Sequence, residues 1–170
     1  MKQLWAPWRM AYIDQDSKET GCIFCNTGVQ ESRPALVLTR TAHSIVMLNK
    51  YPYNSGHLLL APQRHEKHLS SLSAAEYVDI NEALRRTVDI VRHVLNPGGI
   101  NLGMNLGKCA GAGVEDHLHW HVVPRWEGDT NFMPVLGETR VMPQHLLDSY
   151  DRLVPHFENF HREVSQIDPG

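Results

Sequence analysis

The chain has 170 residues, 42% of them hydrophobic and 21% charged, which suits one globular domain with a sizeable core. Its formal net charge of −3 argues against a broad surface for nucleic acid or anionic membranes, but leaves room for a small basic phosphate pocket. No apolar run approaches the roughly 20 residues of a membrane span, and the first nine residues lack the apolar core of a secretion signal. We therefore expect a single cytoplasmic domain over residues 1–170, with no membrane partner and no specific nucleic-acid binding.

The chain begins with an aromatic segment that is followed by a pair of cysteines. Trp5 and Trp8 belong to a predicted ordered extension over residues 1–20, in which packing is favoured over ligand contact. Cys22 and Cys25 form a C-x-x-C motif, and the three cysteines of the chain are too few for a disulfide framework. In a reducing compartment the motif indicates metal or redox chemistry, and a reduced, metal-free pair is the alternative.

Two kinds of periodicity predict the first half of the fold. Short apolar runs separated by polar breaks predict three antiparallel strands, at residues 35–39, 44–49 and 57–62. The strongest helix begins behind a capping box, Ser73 to Glu76, and its apolar residues recur at helical spacing as far as Leu95. Residues 96–99, with two glycines and a proline, end this helix.

The second half continues with strands and closes with a helix. A fourth strand is predicted over residues 101–106, and a loop of small residues over 110–113 leads to a fifth strand. A second helix is predicted over residues 143–164, and Pro155 is expected to kink or end it. Strands dominate and helices are inserted and appended, so the pattern favours an α+β fold with an antiparallel sheet.

The fifth strand, residues 116–124, carries His117, His119 and His121 at alternate positions between apolar residues. Side chains alternate along a strand, so the three imidazoles are predicted to project from one face. An imidazole can ligate a metal, transfer a proton near neutral pH or attack phosphorus, so the row indicates chemistry. Two alternatives are a half-buried strand with a histidine-rich polar face and a catalytic zinc held by all three histidines.

This alternation of histidine and apolar residues resembles the histidine triad family. Residues 56–65 resemble the strand that lies upstream in that family, and residues 124–132 are similar to its branch that handles dinucleoside polyphosphates, including diadenosine tetraphosphate phosphorylases. The resemblance covers residues 22–134. It implies a five-stranded antiparallel sheet with a long helix, and a homodimer that joins two sheets into one.

The resemblance also implies roles for single residues. His119 would be the nucleophile, attacking the α-phosphorus of a nucleotide to give a covalent nucleotidyl-histidine, with main chain near His117 fixing its tautomer. His121 would hydrogen-bond a phosphate or bridging oxygen, and His57 would reach the same phosphates from the neighbouring strand. Asn105 matches a position beside the α-phosphate, and a plain turn residue is its alternative.

The loop before the histidines departs from the family pattern. Many members place a glutamine and a hydroxyl residue there, whereas this chain has Ala112, Gly113 and Val114. Backbone N–H groups of Gly111 to Val114 are expected to bind phosphate instead. This departure leaves the acceptor of the nucleotidyl group open between water and inorganic phosphate.

Four residues are expected to form a structural zinc site of the Cys2His2 type: Cys22, Cys25, His65 and His117. Some triad proteins resemble this arrangement, and His68 is the rival fourth ligand. After the histidine strand, Trp126 is expected to stack on a base and Arg125 to meet distal phosphates. Their alternatives are a dimer interface for Trp126 and a pairing of Arg125 with Glu127 or Asp129.

Together these features predict an enzyme that cleaves a dinucleoside polyphosphate such as diadenosine tetraphosphate, by hydrolysis or by phosphorolysis. No organic cofactor is expected. A nucleoside phosphoramidase of the same family is the nearest alternative, and a zinc-containing nucleotide-binding protein without significant turnover is the next.

Overall fold

The structure is a computed structural model that describes residues 21–28, 33–129, 145–158 and 160. The predicted extension over residues 1–20 and both ends of the helix predicted over 143–164 lie outside this range. Within the described residues no helix combines the length and apolarity needed to cross a membrane.

Five strands form one antiparallel sheet with the order β1-β2-β3-β5-β4. Their bounds are Val37–Arg40 for β1, Ser44–Leu48 for β2, Leu58–Pro62 for β3, Gly99–Met104 for β4 and Trp120–Arg125 for β5. Two α-helices accompany them in the described part of the chain, α1 over Ala74–Leu95 and α2 over Leu146–Glu158. The predicted α+β fold with a five-stranded antiparallel sheet, a long helix and a C-terminal helix is therefore confirmed.

The sheet has apolar residues on both faces. All residues of β2 and β3 are buried, and alternation sends Leu58 and Leu60 into the core under the two helices. Leu59 and Ala61 point the other way, into a smaller cluster with Phe24. The second face is thus covered by the short segment that carries the cysteine pair.

Helix α1 begins and ends as its sequence predicts. Ser73 Oγ accepts from the Glu76 N–H at 3.2 Å, and Glu76 Oε2 accepts from the Ser73 N–H at 2.8 Å. Arg64 donates to both Glu76 oxygens, at 2.9 and 3.1 Å, and its guanidinium holds the pKa of Glu76 at about 2. The helix start therefore also anchors the loop that follows β3, in which His65 lies.

Several predicted elements differ in their bounds, and β1, for example, begins two residues later than predicted, at Val37. The fourth strand lies two residues earlier than predicted. The fifth strand pairs with its neighbours only from Trp120 onward. Before that point the Leu118 N–H donates to Glu66 O, which lies beyond the end of β3, so this segment is outside the regular strand pairing. Helix α2 does not end at Pro155 but continues to Glu158. The hydrogen bond that proline cannot donate would go to Asp151, and both residues are exposed, so water can satisfy that carbonyl.

We predict that Gly56→Ala destabilises the fold, because Gly56 has φ +69° and an added Cβ would overlap Leu95 Cδ1. The expected loss in the free energy of unfolding is about 2 kcal/mol or more, measured by urea denaturation. Gly99→Ala is the control, since a Cβ there meets nothing within 4 Å. Equal stabilities of the two variants would contradict the prediction.

Candidate active site beside a candidate metal centre

The three alternating histidines lie on the face of the sheet opposite the helices. Leu118 and Trp120, which separate them, belong to the helix-side core. His117, His119 and His121 are 1%, 6% and 8% exposed, so each imidazole must find its partners inside the protein. Those partners differ, and they give the three rings different chemistry.

His119 has the tautomer that a nucleophile needs. Its Nδ1 lies 2.8 Å from the carbonyl oxygen of His117, which can only accept, so Nδ1 carries the proton. The lone pair is therefore on Nε2. Burial lowers the pKa of His119, so this nitrogen is unprotonated at neutral pH.

His121 belongs to a chain of hydrogen bonds that starts at a backbone amide. The Tyr53 N–H donates to His57 Nδ1 at 3.0 Å, which places the proton of His57 on Nε2. His57 Nε2 then donates to His121 Nδ1 at 2.9 Å, so His121 carries its own proton on Nε2. The chain of contacts leaves His121 as a fixed N–H donor.

This donor has no partner among the described residues. His121 Nε2 is buried without a hydrogen bond to any described residue, an arrangement that is costly unless another acceptor reaches it. Burial, with a smaller contribution from neighbouring His119, lowers the pKa of His121 to about 4, so the ring is neutral at pH 7.

His57 differs from its predicted position in one respect. It lies next to His121 as expected, but it is fully buried, with Nδ1 occupied by Tyr53 and Nε2 by His121. Both ring nitrogens of His57 are thus engaged within the protein, and the contact of Nε2 sets the tautomer of His121.

The predicted zinc ligands form one cluster. The ligand atoms of Cys22, Cys25, His65 and His117 all lie within 4.8 Å of one another. Cys22 Sγ is 3.1 Å from His117 Nδ1, and Cys25 Sγ is 3.3 Å from His65 Nδ1. Tetrahedral zinc with such ligands separates their atoms by about 3.3–3.8 Å, so the four residues fit a metal ion after small shifts.

The second nitrogen of His117 supports this assignment. Its Nε2 donates to Pro62 O at 2.9 Å, which leaves a lone pair on Nδ1, the atom that faces the cysteines. His117 is thus turned away from His119 and His121, contrary to the alternative of one zinc shared by the three histidines. His68 is exposed and lies outside the cluster.

Some of the backbone N–H groups predicted to bind phosphate already donate hydrogen bonds within their own loop. The N–H groups of Gly111 and Ala112 donate to Lys108 O and Gly107 O, at 2.9 and 3.3 Å, within the loop's own 3-10 turn. Asn105 Nδ2 has two long contacts, 3.4 Å to Gly111 O and 3.5 Å to Tyr53 Oη. Gly113 is exposed. Binding through Gly111 or Ala112 would require breaking the turn.

Arg125 and Trp126, expected to meet phosphate and base, have hydrogen-bond partners within the protein. Arg125 makes two hydrogen bonds to Asp129, at 2.7 and 2.8 Å, which is the alternative raised for it. The Trp126 indole donates to Asn96 O at 3.3 Å, at the end of α1. Asp129 also accepts from Asn54 Nδ2 at 2.7 Å, so this corner fixes the β2–β3 turn.

Two contact residues were missed by the sequence analysis. Phe24 lies between the two cysteines, is 3% exposed, and packs its ring 4.8 Å from His117 and 5.2 Å from His119. Tyr53 packs against His57 and His121, with ring centroids 4.6 and 5.5 Å away. The apolar residue inside the C-x-x-C was a usable signal for Phe24, while nothing in the sequence marks Tyr53.

Comparison with known proteins agrees with this geometry. The sequence profile of the HIT domain, the domain of the histidine triad family, matches residues 30–128, more than half of the chain. The chain belongs to the HIT family. Within this family, an AP-4-A phosphorylase of Mycobacterium tuberculosis (strain CDC 1551 / Oshkosh) is 34% identical over 157 residues, covering 88% of this chain and 80% of the relative.

Two further HIT proteins extend the comparison. The adenosine 5′-monophosphoramidase of Schizosaccharomyces pombe is 32% identical over 104 residues, covering 61% of this chain and 74% of the relative. A crystal structure of a Zn-bound histidine triad family protein from Mycobacterium smegmatis has a TM-score of 0.64 at 22% identity, covering 84% of this chain and 96% of that one. The similarity to the Mycobacterium smegmatis structure concerns the fold alone.

We predict that the free energy of unfolding falls as the pH drops from 6.5 toward 4. His121 has its pKa near 4 in the fold and 6.5 as its ordinary value, so within this range the unfolded chain binds a proton that the folded one does not. The contribution is about 3 kcal/mol, since each pH unit corresponds to about 1.4 kcal/mol. Above pH 6.5 both states are neutral and the contribution vanishes.

Urea denaturation at several pH values measures this slope. His121→Asn, which keeps an oxygen able to accept from His57, should show a shallower dependence on pH. The exposed His43→Asn should follow the wild type. A variant at position 121 with the wild-type slope would refute the linkage.

Proposed function

We propose that this HIT protein cleaves dinucleoside polyphosphates, such as diadenosine tetraphosphate, at the α-phosphate through a covalent nucleotidyl intermediate on His119. The observation that carries the proposal is the pairing of tautomers. His119 presents a lone pair on Nε2, and His121 presents a buried N–H on the neighbouring ring, 5.0 Å between centroids. A nucleophile and a phosphate donor are thus side by side.

The reaction has two steps. His119 Nε2 attacks the α-phosphorus, the bond to the bridging oxygen breaks, and the rest of the substrate leaves as a nucleoside polyphosphate. The His121 N–H donates to a phosphate oxygen, an acceptor that no described residue provides for this buried group. An acceptor molecule then attacks the same phosphorus and releases His119.

The acceptor separates hydrolysis from phosphorolysis. Water would release AMP from the intermediate, and inorganic phosphate would release ADP. The AP-4-A phosphorylase similarity over 88% of the chain supports phosphate as the acceptor. The 32% identity to the monophosphoramidase is the observation that favours a second candidate, cleavage of a phosphorus–nitrogen bond by the same His119 chemistry.

Zinc is proposed as a structural ion held by Cys22, Cys25, His65 and His117. All four positions are filled by protein, so no place remains for a water nucleophile. Bound there, the ion would link the segment of the cysteine pair to His117. Phe24, between the cysteines, would thereby be held against the His119 ring.

A homodimer that joins two sheets is also proposed, following the family. Strand β4 is one of the two outer strands of the sheet, and Leu102 on it is 51% exposed. Its outer edge pairs with no other described strand, and such an edge with an exposed leucine favours pairing with a second copy. The mass of the protein in solution tests this point.

We predict that incubation with diadenosine tetraphosphate adds one adenylyl mass to His119, detected by mass spectrometry under denaturing conditions. His119→Ala should lose the adduct and at least about a thousandfold of the activity. The exposed His93→Ala is the control and should keep both. Turnover by wild-type protein without any adduct on a trapped sample would argue against the covalent step.

The products of the same incubation identify the acceptor. ADP plus ATP formed only when phosphate is present indicates phosphorolysis. AMP plus ATP formed without phosphate indicates hydrolysis. Nucleotide binding with no product at all would contradict the proposed enzyme and support a nucleotide-binding protein without turnover.

We predict that Cys25→Ser purifies with much less zinc than the wild type, which should hold about one ion per chain, as measured by elemental mass spectrometry. The variant keeps the size of the side chain and removes a thiolate ligand. Cys109→Ser is a matched control, because Cys109 is a free, exposed cysteine outside the cluster. His119→Ala should also keep its zinc, and its loss there would support a shared catalytic metal instead.

A further inference from the structure

Tyr53 is the residue of the site whose chemistry is still unassigned. It lies in the turn between β2 and β3, and several hydrogen bonds hold this turn. The following residue, Asn54, donates to Pro124 O at 3.0 Å and to Asp129 at 2.7 Å, and the His57 N–H donates back to Asn54 O at 3.2 Å. The position of Tyr53 is therefore fixed by its neighbours on β5.

The ring of Tyr53 packs against the imidazoles of His57 and His121, which are joined by a hydrogen bond. Its plane is inclined by 24° to that of His121 and by 42° to that of His57. The residue is nevertheless 41% exposed, so part of it faces solvent where a substrate can approach. Tyr53 thus lies between the solvent and the hydrogen-bonded pair of His57 and His121.

The hydroxyl group of Tyr53 is the acceptor in its contact with Asn105. The Nδ2 amide of Asn105 can only donate, at 3.5 Å, so the phenolic proton remains to be donated to another group. Both contacts of this amide are long, and a phosphate oxygen placed between amide and hydroxyl would improve on them.

The loop before the histidines explains why a hydroxyl is needed. Ala112, Gly113 and Val114 supply no side-chain donor, and the amides of Gly111 and Ala112 are used by the loop's own turn. His121 offers a single N–H, whereas a substrate with several phosphates gains charge on its leaving oxygens as the bond breaks. A donor from another element would therefore add to the few that remain in this loop.

We propose that the Tyr53 hydroxyl is this donor, and that it hydrogen-bonds a phosphate oxygen of the leaving nucleoside polyphosphate. Tyr53 keeps its proton throughout: the phosphorus–oxygen bond breaks, its electron pair stays on the leaving oxygen, and the hydroxyl stabilises the charge. The inference rests on the proposed function. It specifies that the protein prefers leaving groups that carry phosphate.

Tyr53→Phe tests it with two AMP esters, diadenosine tetraphosphate and the p-nitrophenyl ester of AMP, whose leaving group has no phosphate. The variant keeps the ring and the backbone N–H and loses only the hydroxyl. We expect kcat for diadenosine tetraphosphate to fall about 100-fold, and kcat for the p-nitrophenyl ester to change less than about threefold. A merely structural role would lower both equally.

Tyr77→Phe is the matched control, because Tyr77 is similarly exposed, at 51%, but lies on α1. It should leave both rates unchanged. Tyr53→Leu, which also removes the ring over His121, should slow both substrates. Zinc content and the midpoint of urea unfolding should match the wild type in Tyr53→Phe.

The outcomes separate this inference from the proposed function. Equal losses for the two esters, or no loss for diadenosine tetraphosphate, overturn the role of Tyr53 while wild-type turnover and the His119 adduct stand. Absence of turnover and adduct in the wild type overturns the proposed function, and the inference with it.

Discussion

The hydrogen bond from His117 Nε2 to Pro62 O is the interaction on which both centres depend. It joins the histidine segment to the end of β3 and turns the Nδ1 lone pair of His117 toward the cysteines. The same residue presents its carbonyl oxygen to His119, which sets the tautomer of that ring. One residue therefore connects the Cys2His2 cluster, through its side chain, to the His119 ring, through its main chain.

Alternation along the extended segment places apolar residues and histidines on opposite faces of the sheet. Apolar residues between the histidines fill the core under the helices, while the imidazoles meet Phe24 and Tyr53 on the other face. Burial keeps the rings neutral, since desolvation lowers the pKa of all three. Neutral rings can be told apart only by their hydrogen bonds, which the backbone makes directly with His117 and His119 and, through His57, with His121.

Local patterns in the sequence were enough to predict much of the fold and of the candidate site. The capping box gave the start of α1, alternation gave the face of the histidines, and metal-ligand chemistry brought together Cys22, Cys25, His65 and His117. The partner of Arg125 and the position of His57 depend on contacts between distant segments and on side-chain rotamers. Asn54 and Asp129, for example, lie 75 positions apart, and no periodicity links them.

Asp129 illustrates what such a contact means for experiments on this chain. Its carboxylate receives hydrogen bonds from Arg125, from Asn54 and from the Trp126 N–H. Through Asn54 it holds the turn that carries Tyr53 and His57. A mutational survey scored on activity alone would therefore rank Asp129 among the reacting residues, although it supports them from the far side of the turn. Residues of that kind are recognised by their partners, because their phenotype resembles that of a catalytic group.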